Sequence, residues 1–348
     1  MGAPLKYFAT ALPGFGFALR REIDLTEQLR SRGEVCGDRR NDLVPFDGLR
    51  GERGLGLRTS EDVFVHLATH TAPRDASTMS SVMLRASPLE SALSVWAAVN
   101  HPLRRSMTYR VIARVQSERR FRRTELRAAM AAAIKRIRPR WRADDPATLE
   151  LWVVESRPDR FHLGLRLTTA SMRHRGGRRV ERGAALRPTA AAAMLIVSER
   201  SAPDRILDPC CGSGTILTEA AALGLRPIGS DHDRVAVDAS RRNFGSAVPL
   251  TVADVRGLPM PACSVDAVVS NLPFGHAHTL QGNPIAWYSE ALRDIARVVR
   301  PGGSAVLLMP DGSPVRRSIE QCDALKPDLS RPVELLGQRI NLWRFTRV

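Results

Sequence analysis

Along the second half of this 348-residue sequence, four apolar runs each end on a carboxylate or amide. Arg205 to Leu217 reads RILDPCCGSGTIL, a strand-like run ending at Asp208, then Gly212-Ser213-Gly214 opening a helix. Glycines serve where backbone must approach a ligand closely, and a helix N-terminus behind a strand offers unpaired N–H groups to a cofactor. No Lys follows Gly214, which argues against a phosphate-cradling P-loop. Asp231 closes Ile228-Gly229-Ser230-Asp231, 23 residues past Asp208, where a carboxylate can take both hydroxyls of a ribose. Asp254 stands a further 23 residues on and can accept from an exocyclic adenine amine. The fourth run ends in Ser270-Asn271-Leu272-Pro273-Phe274-Gly275. Taken singly, each acid reads equally well as a helix cap or a solvated turn residue. Together they line the one sheet edge where ligands bind in an open α/β fold.

The elements that must position these groups alternate strand and helix. Strands are expected near 205–209, 226–230, 249–252, 265–270 and 304–309, with helices between them, the pattern of a doubly wound parallel sheet. Val333 to Leu336 and Ile340 to Phe345, separated by Gly337-Gln338-Arg339, read as a closing antiparallel hairpin. The front half is α+β. Strands are expected at Tyr7–Leu12, Tyr109–Val115, Leu149–Glu155 and Phe161–Leu167, the last two joined by Ser156-Arg157-Pro158-Asp159 as a hairpin turn. Helices are expected from Phe17 to about Leu29, from Ser60 to Leu67 with Glu61 and Asp62 at its N-terminus, from a Ser87-Pro88-Leu89-Glu90 capping box to Val99, and over Thr124–Ile137. Arg173 to Arg179 is a polar, glycine-containing link.

The net charge of +16 is unevenly distributed. Residues 1–180 hold 33 basic against 19 acidic side chains, whereas 181–348 hold 19 against 17. Codon bias would favour Arg over Lys throughout the chain and does not confine the excess to one half, so a polyanion-binding front half is expected. Residues 110–142 alone carry 12 cations against Glu118 and Glu125. A composition of 43% apolar and 25% charged residues excludes disorder along the whole length. No run of about 18 uncharged apolar residues offers a membrane span, and no secretory signal is read at Met1 to Thr10. Five cysteines without a C-x-x-C pair argue against a zinc site or a disulfide framework, and the expected address is the reducing cytosol.

With those residues in hand, the back half resembles the class I S-adenosylmethionine-dependent methyltransferases. DPCCGSGTI followed by NLPFG is similar to the subset that methylates exocyclic amines of bases. The resemblance implies that Asp208, Cys210, Gly212, Gly214 and neighbouring backbone hold the methionine part of S-adenosylmethionine, Asp231 its ribose and Asp254 its adenine. Asn271 to Phe274 would form the target-base site, with Asn271 also beside the cofactor. The front half, through YFATALPGFGFALRREI, LRTSEDVFVHLA and Tyr109–Leu167, resembles the ferredoxin-like and THUMP regions of RNA methyltransferases. His174-Arg175-Gly176-Gly177-Arg178 is similar to that family's R-G-Y-R junction, with Gly177 in place of the aromatic. The resemblance implies a ferredoxin-like region at 1–60, a THUMP RNA-binding domain at 61–170, a linker at 171–187 and a Rossmann-like methyltransferase domain at 188–348. It further implies N2-methylation of a guanosine in the tRNA acceptor-stem region, by a cytoplasmic monomer that uses neither metal nor membrane.

An exocyclic amine is a poor nucleophile because its lone pair is delocalised into the ring. Acceptors on its two hydrogens, the Asn271 side-chain oxygen and the Leu272 backbone oxygen, hold it in line with the methyl donor and disfavour that delocalisation. Pro273 stiffens the loop, and Phe274 offers a face on which an extruded base can stack, worth about 1–3 kcal/mol. The motif leaves open guanine N2 or adenine N6, in tRNA or ribosomal RNA, and an idle RNA-binding protein remains a further reading. Arg119, Arg120, Arg122 and Arg123 flank Phe121, and Arg138 and Arg140 alternate with Pro139 and Trp141, so phosphate contact is expected there and at Arg175. Phe121 itself reads equally as a base-stacking or a core residue. His276 and His278 read equally as pocket-lining or ordinary loop residues.

Overall fold

The structure is a computed structural model that describes residues 5–38, 40–48, 56–116, 120–169, 185–274, 282–335 and 337–348. The chain divides into two units, 1–174 and 175–348, each built on its own sheet.

In the first unit, β1 (Leu5–Ala11) is buried from Tyr7 to Ala11 and therefore lies inside a sheet. Helix α1 (Gly16–Leu25) follows, then β2 (Leu29–Ser31), β3 (Cys36–Gly37), β4 (Asp42–Gly48) and β5 (Asp62–Thr71). Helices α2 (Ala76–Met83) and α3 (Ala86–Val99), β6 (Thr108–Arg114), α4 (Arg123–Ile137), β7 (Arg142–Ala143), β8 (Leu149–Arg157) and β9 (Arg160–Arg166) complete it. The strand order is β2-β4-β1-β5-β9-β8-β6-β7, with β3 beside β4. One sheet thus runs across residue 60, because β5 pairs with β1 on one side and β9 on the other. Its core stacks Phe8 on Phe64 at 4.6 Å between ring centroids. Gly164 opposite them has no room for a side chain, since a Cβ there would stand 2.5 Å from the Phe8 ring.

Two expectations for this unit fail. Ser60 to Leu67 is not a helix, because the chain from Asp62 extends as β5, and Glu61 N–H already donates to Thr10 O at 2.6 Å. The acidic pair resembles a helix start, but Val63, Phe64 and Val65 are bulky side chains that pack well on a pleated surface. Helix α3 forms as expected, yet Ser87 does not cap it. The helix begins at Ala86, and its N-cap, Arg85, makes no side-chain capping bond. Strand β4 and helix α2 were not foreseen. Asp42, at the start of β4, closes the N-terminus of α1 from a distance, accepting from Gly14 N at 2.9 Å and Gly16 N at 2.8 Å. Burial raises the Asp42 carboxyl despite those two bonds.

A hydrogen-bonded chain crosses this unit, from His66 Nε2 to Thr69 Oγ1 (2.9 Å), on to His162 Nδ1 (3.1 Å), and from His162 Nε2 to Ser156 Oγ (2.9 Å). Burial pushes both imidazoles down to about 4, with Lys6 adding to the effect on His66, and His66 and Arg160 on His162. Both rings are therefore neutral in the folded chain at pH 5, while an unfolded chain has taken up most of the two protons. Stability is expected to fall as pH drops from about 6.5 towards 4, by on the order of a few kcal/mol for the pair. Urea unfolding of the full chain at pH 7 and pH 5 checks this, and the difference should shrink in His66→Gln/His162→Gln.

The second unit starts with α5 (Pro188–Ser198) and alternates β10 (Arg205–Asp208), α6 (Thr215–Ala222), β11 (Arg226–Asp231), α7 (Arg234–Phe244), β12 (Leu250–Val252) and β13 (Val265–Asn271). Then come α8 (Pro284–Val298), β14 (Val299–Met309), α9 (Ser313–Glu320), and the hairpin of β15 (Leu325–Leu335) and β16 (Gln338–Arg347). The order is β12-β11-β10-β13-β14-β16-β15, parallel except where β16 meets β14 and β15. The chain steps outward from β10 to β12 and then returns to place β13 on the other flank of β10. That reversal opens a crevice at the C-terminal ends of β10 and β13, where Asp208 and Asn271 stand. Among the described residues, no helix is long and apolar enough to cross a membrane, and no His, Cys, Asp and Glu cluster could hold a metal ion.

Candidate active site

The turn from β10 into α6 is held from three sides. Cys210 N donates to Asp208 Oδ1 (3.2 Å), Cys211 N to Ser230 O of β11 (2.9 Å), and Gly212 N to Asp231 Oδ2 (2.9 Å). Helix α7 supplies donors to the turn's carbonyls, Ser240 Oγ to Gly212 O and Asn243 Nδ2 to Ser213 O, each at 2.9 Å. Neither residue was singled out from the sequence, because nothing in their spacing marks a helix side chain that reaches back to an earlier loop. Gly214 has φ +87°, and a Cβ there would meet Phe244 at 2.4 Å, so this position accepts glycine alone. Gly212 also has positive φ, but a Cβ on it would meet nothing within 4 Å, leaving its outer side open to a ligand.

Asp208 is fully buried, accepts from Ser270 Oγ at 2.7 Å, and is pushed up to about 7 by burial. The Cys210 and Cys211 thiols are raised as well, again by burial, so neither is a ready thiolate nucleophile. Asp231 is buried, and its second oxygen accepts from Asp233 N at 3.0 Å. Both of its oxygens thus serve backbone N–H groups, which leaves further lone pairs for a diol. Asp254 is half exposed and sits in the fork of Arg256, with contacts of 2.7 to 3.2 Å that hold its carboxyl below the usual range.

The connection from β12 to β13, residues 253–264, is a loop without a helix of its own. Gly229 faces α6, since a Cβ there would meet Leu217, so Ile228 and Ser230 point to the opposite face. There they line a cavity of about 260 Å³ with Leu207, Leu258, Pro259 and Met260. Three buried polar atoms of this region have no hydrogen-bond partner among the described residues: Ser213 Oγ, Ser230 Oγ and Asn271 Oδ1. A buried acceptor left unpaired costs about 1–3 kcal/mol and is retained most readily where a ligand completes it. Leu272 is fully buried, Phe274 half-buried, and Tyr288 of α8 donates to Pro273 O at 3.0 Å. Gly275, His276 and His278 lie outside the described residues.

The basic span divides. Phe121 is buried against Phe161, 5.8 Å between centroids, which settles it as a core residue and not a base-stacking one. Trp141 is buried too. Arg120 is tied to Pro73 O (3.0 Å) and Asp159 (3.1 Å), and Arg138 to Glu90 while lying 5.4 Å over the Trp141 ring. Arg122, Arg123 and Arg140 are exposed, the first two at the N-terminus of α4. Arg119 and Arg175 lie outside the described residues.

Residues 175–331 match the family described as RMKL-like, methyltransferase domain. A tRNA (guanine(6)-N2)-methyltransferase of Thermus thermophilus is 27% identical over 292 residues, spanning 79% of this chain and 81% of that one. A mouse U6 snRNA (guanine-N(2))-methyltransferase, THUMPD2, is 36% identical over 135 residues, 37% of this chain, and the match spans about a quarter of that relative's length (25%). The crystal structure of TrmN from Thermus thermophilus superposes with a TM-score of 0.78 at 24% identity, covering 99% of this chain and 100% of that one. The second unit therefore has the fold of class I methyltransferases, and its residues 175–331 are similar to the RMKL-like methyltransferase-domain family.

Proposed function

We propose that the chain transfers the methyl group of S-adenosylmethionine to the exocyclic N2 amine of a guanosine in the acceptor-stem region of tRNA, the target base being flipped into the Asn271–Phe274 pocket. The observation that carries this reading is the buried Asn271 Oδ1 at the end of β13, without a partner among the described residues and beside the closed Asp208–Gly214 turn. The names of the Thermus and mouse relatives support guanine N2 over adenine N6.

The residues present fit the cofactor. Gly212 leaves an open side on the turn, Asp231 and Asp254 stand at successive strand ends, and the apolar cavity adjoins Asp231 through Ser230. When bound, S-adenosylmethionine supplies an electrophilic methyl group. The chain's own contribution is positional. Asn271 Oδ1 and the Leu272 carbonyl accept from the two amine hydrogens, and Phe274 offers the base a ring face. No acid–base pair is required, so rate is gained mainly by alignment. In this reading residues 1–60 form a ferredoxin-like region, 61–170 a THUMP domain that captures the tRNA, and 171–187 the link to the catalytic unit.

Labelled S-adenosylmethionine and unmodified tRNA, followed by nucleoside analysis, test the reading. N2-methylguanosine is expected, and its absence under conditions where the cofactor binds would sink the proposal. Methylation of ribosomal or small nuclear RNA in place of tRNA would move the substrate and keep the chemistry.

Changing Arg119, Arg120, Arg122 and Arg123 to alanine is expected to raise the tRNA dissociation constant. It should also flatten the log–log salt dependence by roughly 0.7–0.9 for each phosphate that is no longer neutralised. Arg120 should contribute less than Arg122, since its guanidinium already serves Pro73 and Asp159. Binding measured across a salt series checks this, and an unchanged slope would remove the cluster from the interface.

A further inference from the structure

The Asn271 amide oxygen has no partner among the described residues, yet the chain on either side of it is fixed by a hydroxyl. On the N-terminal side, fully buried Ser270 donates to Asp208 Oδ1 at 2.7 Å, tying β13 to the end of β10. On the C-terminal side, Tyr288, 3% exposed on α8, donates to Pro273 O at 3.0 Å. The first bond is buried and the second part-buried, so each is worth more than it would be in water, and each restrains a rotation that would otherwise move the acceptors. The Tyr288 ring is itself held edge-on against Trp287, 5.1 Å between centroids.

We propose that Ser270 and Tyr288 are positioning residues for methyl transfer, clamping residues 271–273 at both ends so that the Asn271 and Leu272 acceptors stay in place. The proposal rests on the base-amine reading given above. Neither hydroxyl touches the reacting atoms. Ser270 acts through the backbone of its neighbour, and Tyr288 through the peptide that follows Pro273. The clamp also links the cofactor turn to the base pocket, because Asp208 belongs to one and Ser270 to the strand that carries the other.

The test uses the full chain with Tyr288→Phe, Ser270→Ala and the unchanged protein. Three quantities are read: S-adenosylhomocysteine affinity by calorimetry, the single-turnover rate of methyl transfer to unmodified tRNA, and amide hydrogen exchange at Leu272 and Phe274. Each variant is expected to lose about 10-fold in rate, the scale of one buried hydrogen bond, with affinity changed by less than about 2-fold and exchange at the two amides faster. Tyr288→Phe removes a single oxygen, keeps the ring in place, and decides the matter even where Ser270→Ala fails to fold. An unchanged rate in Tyr288→Phe, or a loss of rate matched by a loss of affinity, overturns the clamp. Should the unchanged chain bind S-adenosylhomocysteine yet methylate no guanosine, the functional reading falls, and the exchange measurement alone then upholds or overturns the clamp.

Discussion

Asn271→Ala is expected to bind S-adenosylhomocysteine nearly as well as the unchanged chain and to transfer methyl groups about 10²–10³ times more slowly, the usual cost of deleting one preorganised polar partner. The carboxamide stands at the end of β13 with its oxygen buried and without a partner among the described residues. Alanine therefore removes an acceptor that no described residue satisfies and that carries a desolvation cost. The melting temperature is accordingly expected to hold steady or rise while activity collapses. Those opposite movements distinguish a site residue from a structural one. Calorimetry with S-adenosylhomocysteine, thermal melting and single-turnover kinetics on one preparation check all three. Parallel loss of affinity and turnover would count against the assigned role.

Asp231→Ala is expected to have the opposite profile. Its carboxylate accepts from Gly212 N at 2.9 Å and Asp233 N at 3.0 Å, so the glycine turn and the start of the following loop are both anchored on it. Hydrogen bonds to a charged acceptor are each worth about 1.5–3 kcal/mol, so losing one where the cofactor docks lowers affinity by about 10- to 100-fold. Here the melting temperature should fall as well, because two backbone N–H groups lose their acceptor. If affinity fell with the melting temperature unchanged, the carboxylate would serve the ribose alone and not the turn. The sequence marks Asp231 as a diol acceptor, and the structure adds that it also closes the turn.

Much of the catalytic unit was legible because parallel strands covered on both faces read as continuous apolar runs, each ending on a polar residue. Strands β10 to β14 lie where those runs are, and the closing hairpin forms with longer strands than expected, Leu336 lying outside the described residues. The front unit was less legible where the signal was local and the cause was not. Ser60-Glu61-Asp62 looks like a helix start, but the ladder with β1 and β9 decides it as a strand. Asp42 caps α1 from 26 residues away, a distance no capping pattern spans. Phe121 sits among arginines in the sequence but is buried against Phe161 in the fold. Likewise Ser240, Asn243 and Tyr288 are ordinary helix residues until folding brings their side chains to loops that are distant in the chain. Each departure has the same physical origin, a long-range partner that overrides a local preference.

The sheet of the first unit also has a history in time. Strand β5 gains its second neighbour only when β9 exists, with Phe64 paired to Arg166. On a ribosome, β5 is therefore finished roughly a hundred residues before that partner emerges, at synthesis rates of about 5–20 residues per second. For those seconds, an apolar strand with one unpaired edge stands exposed at the end of a growing chain. Such an edge is a template for wrong pairing until residue 166 has appeared and β9 can cover it.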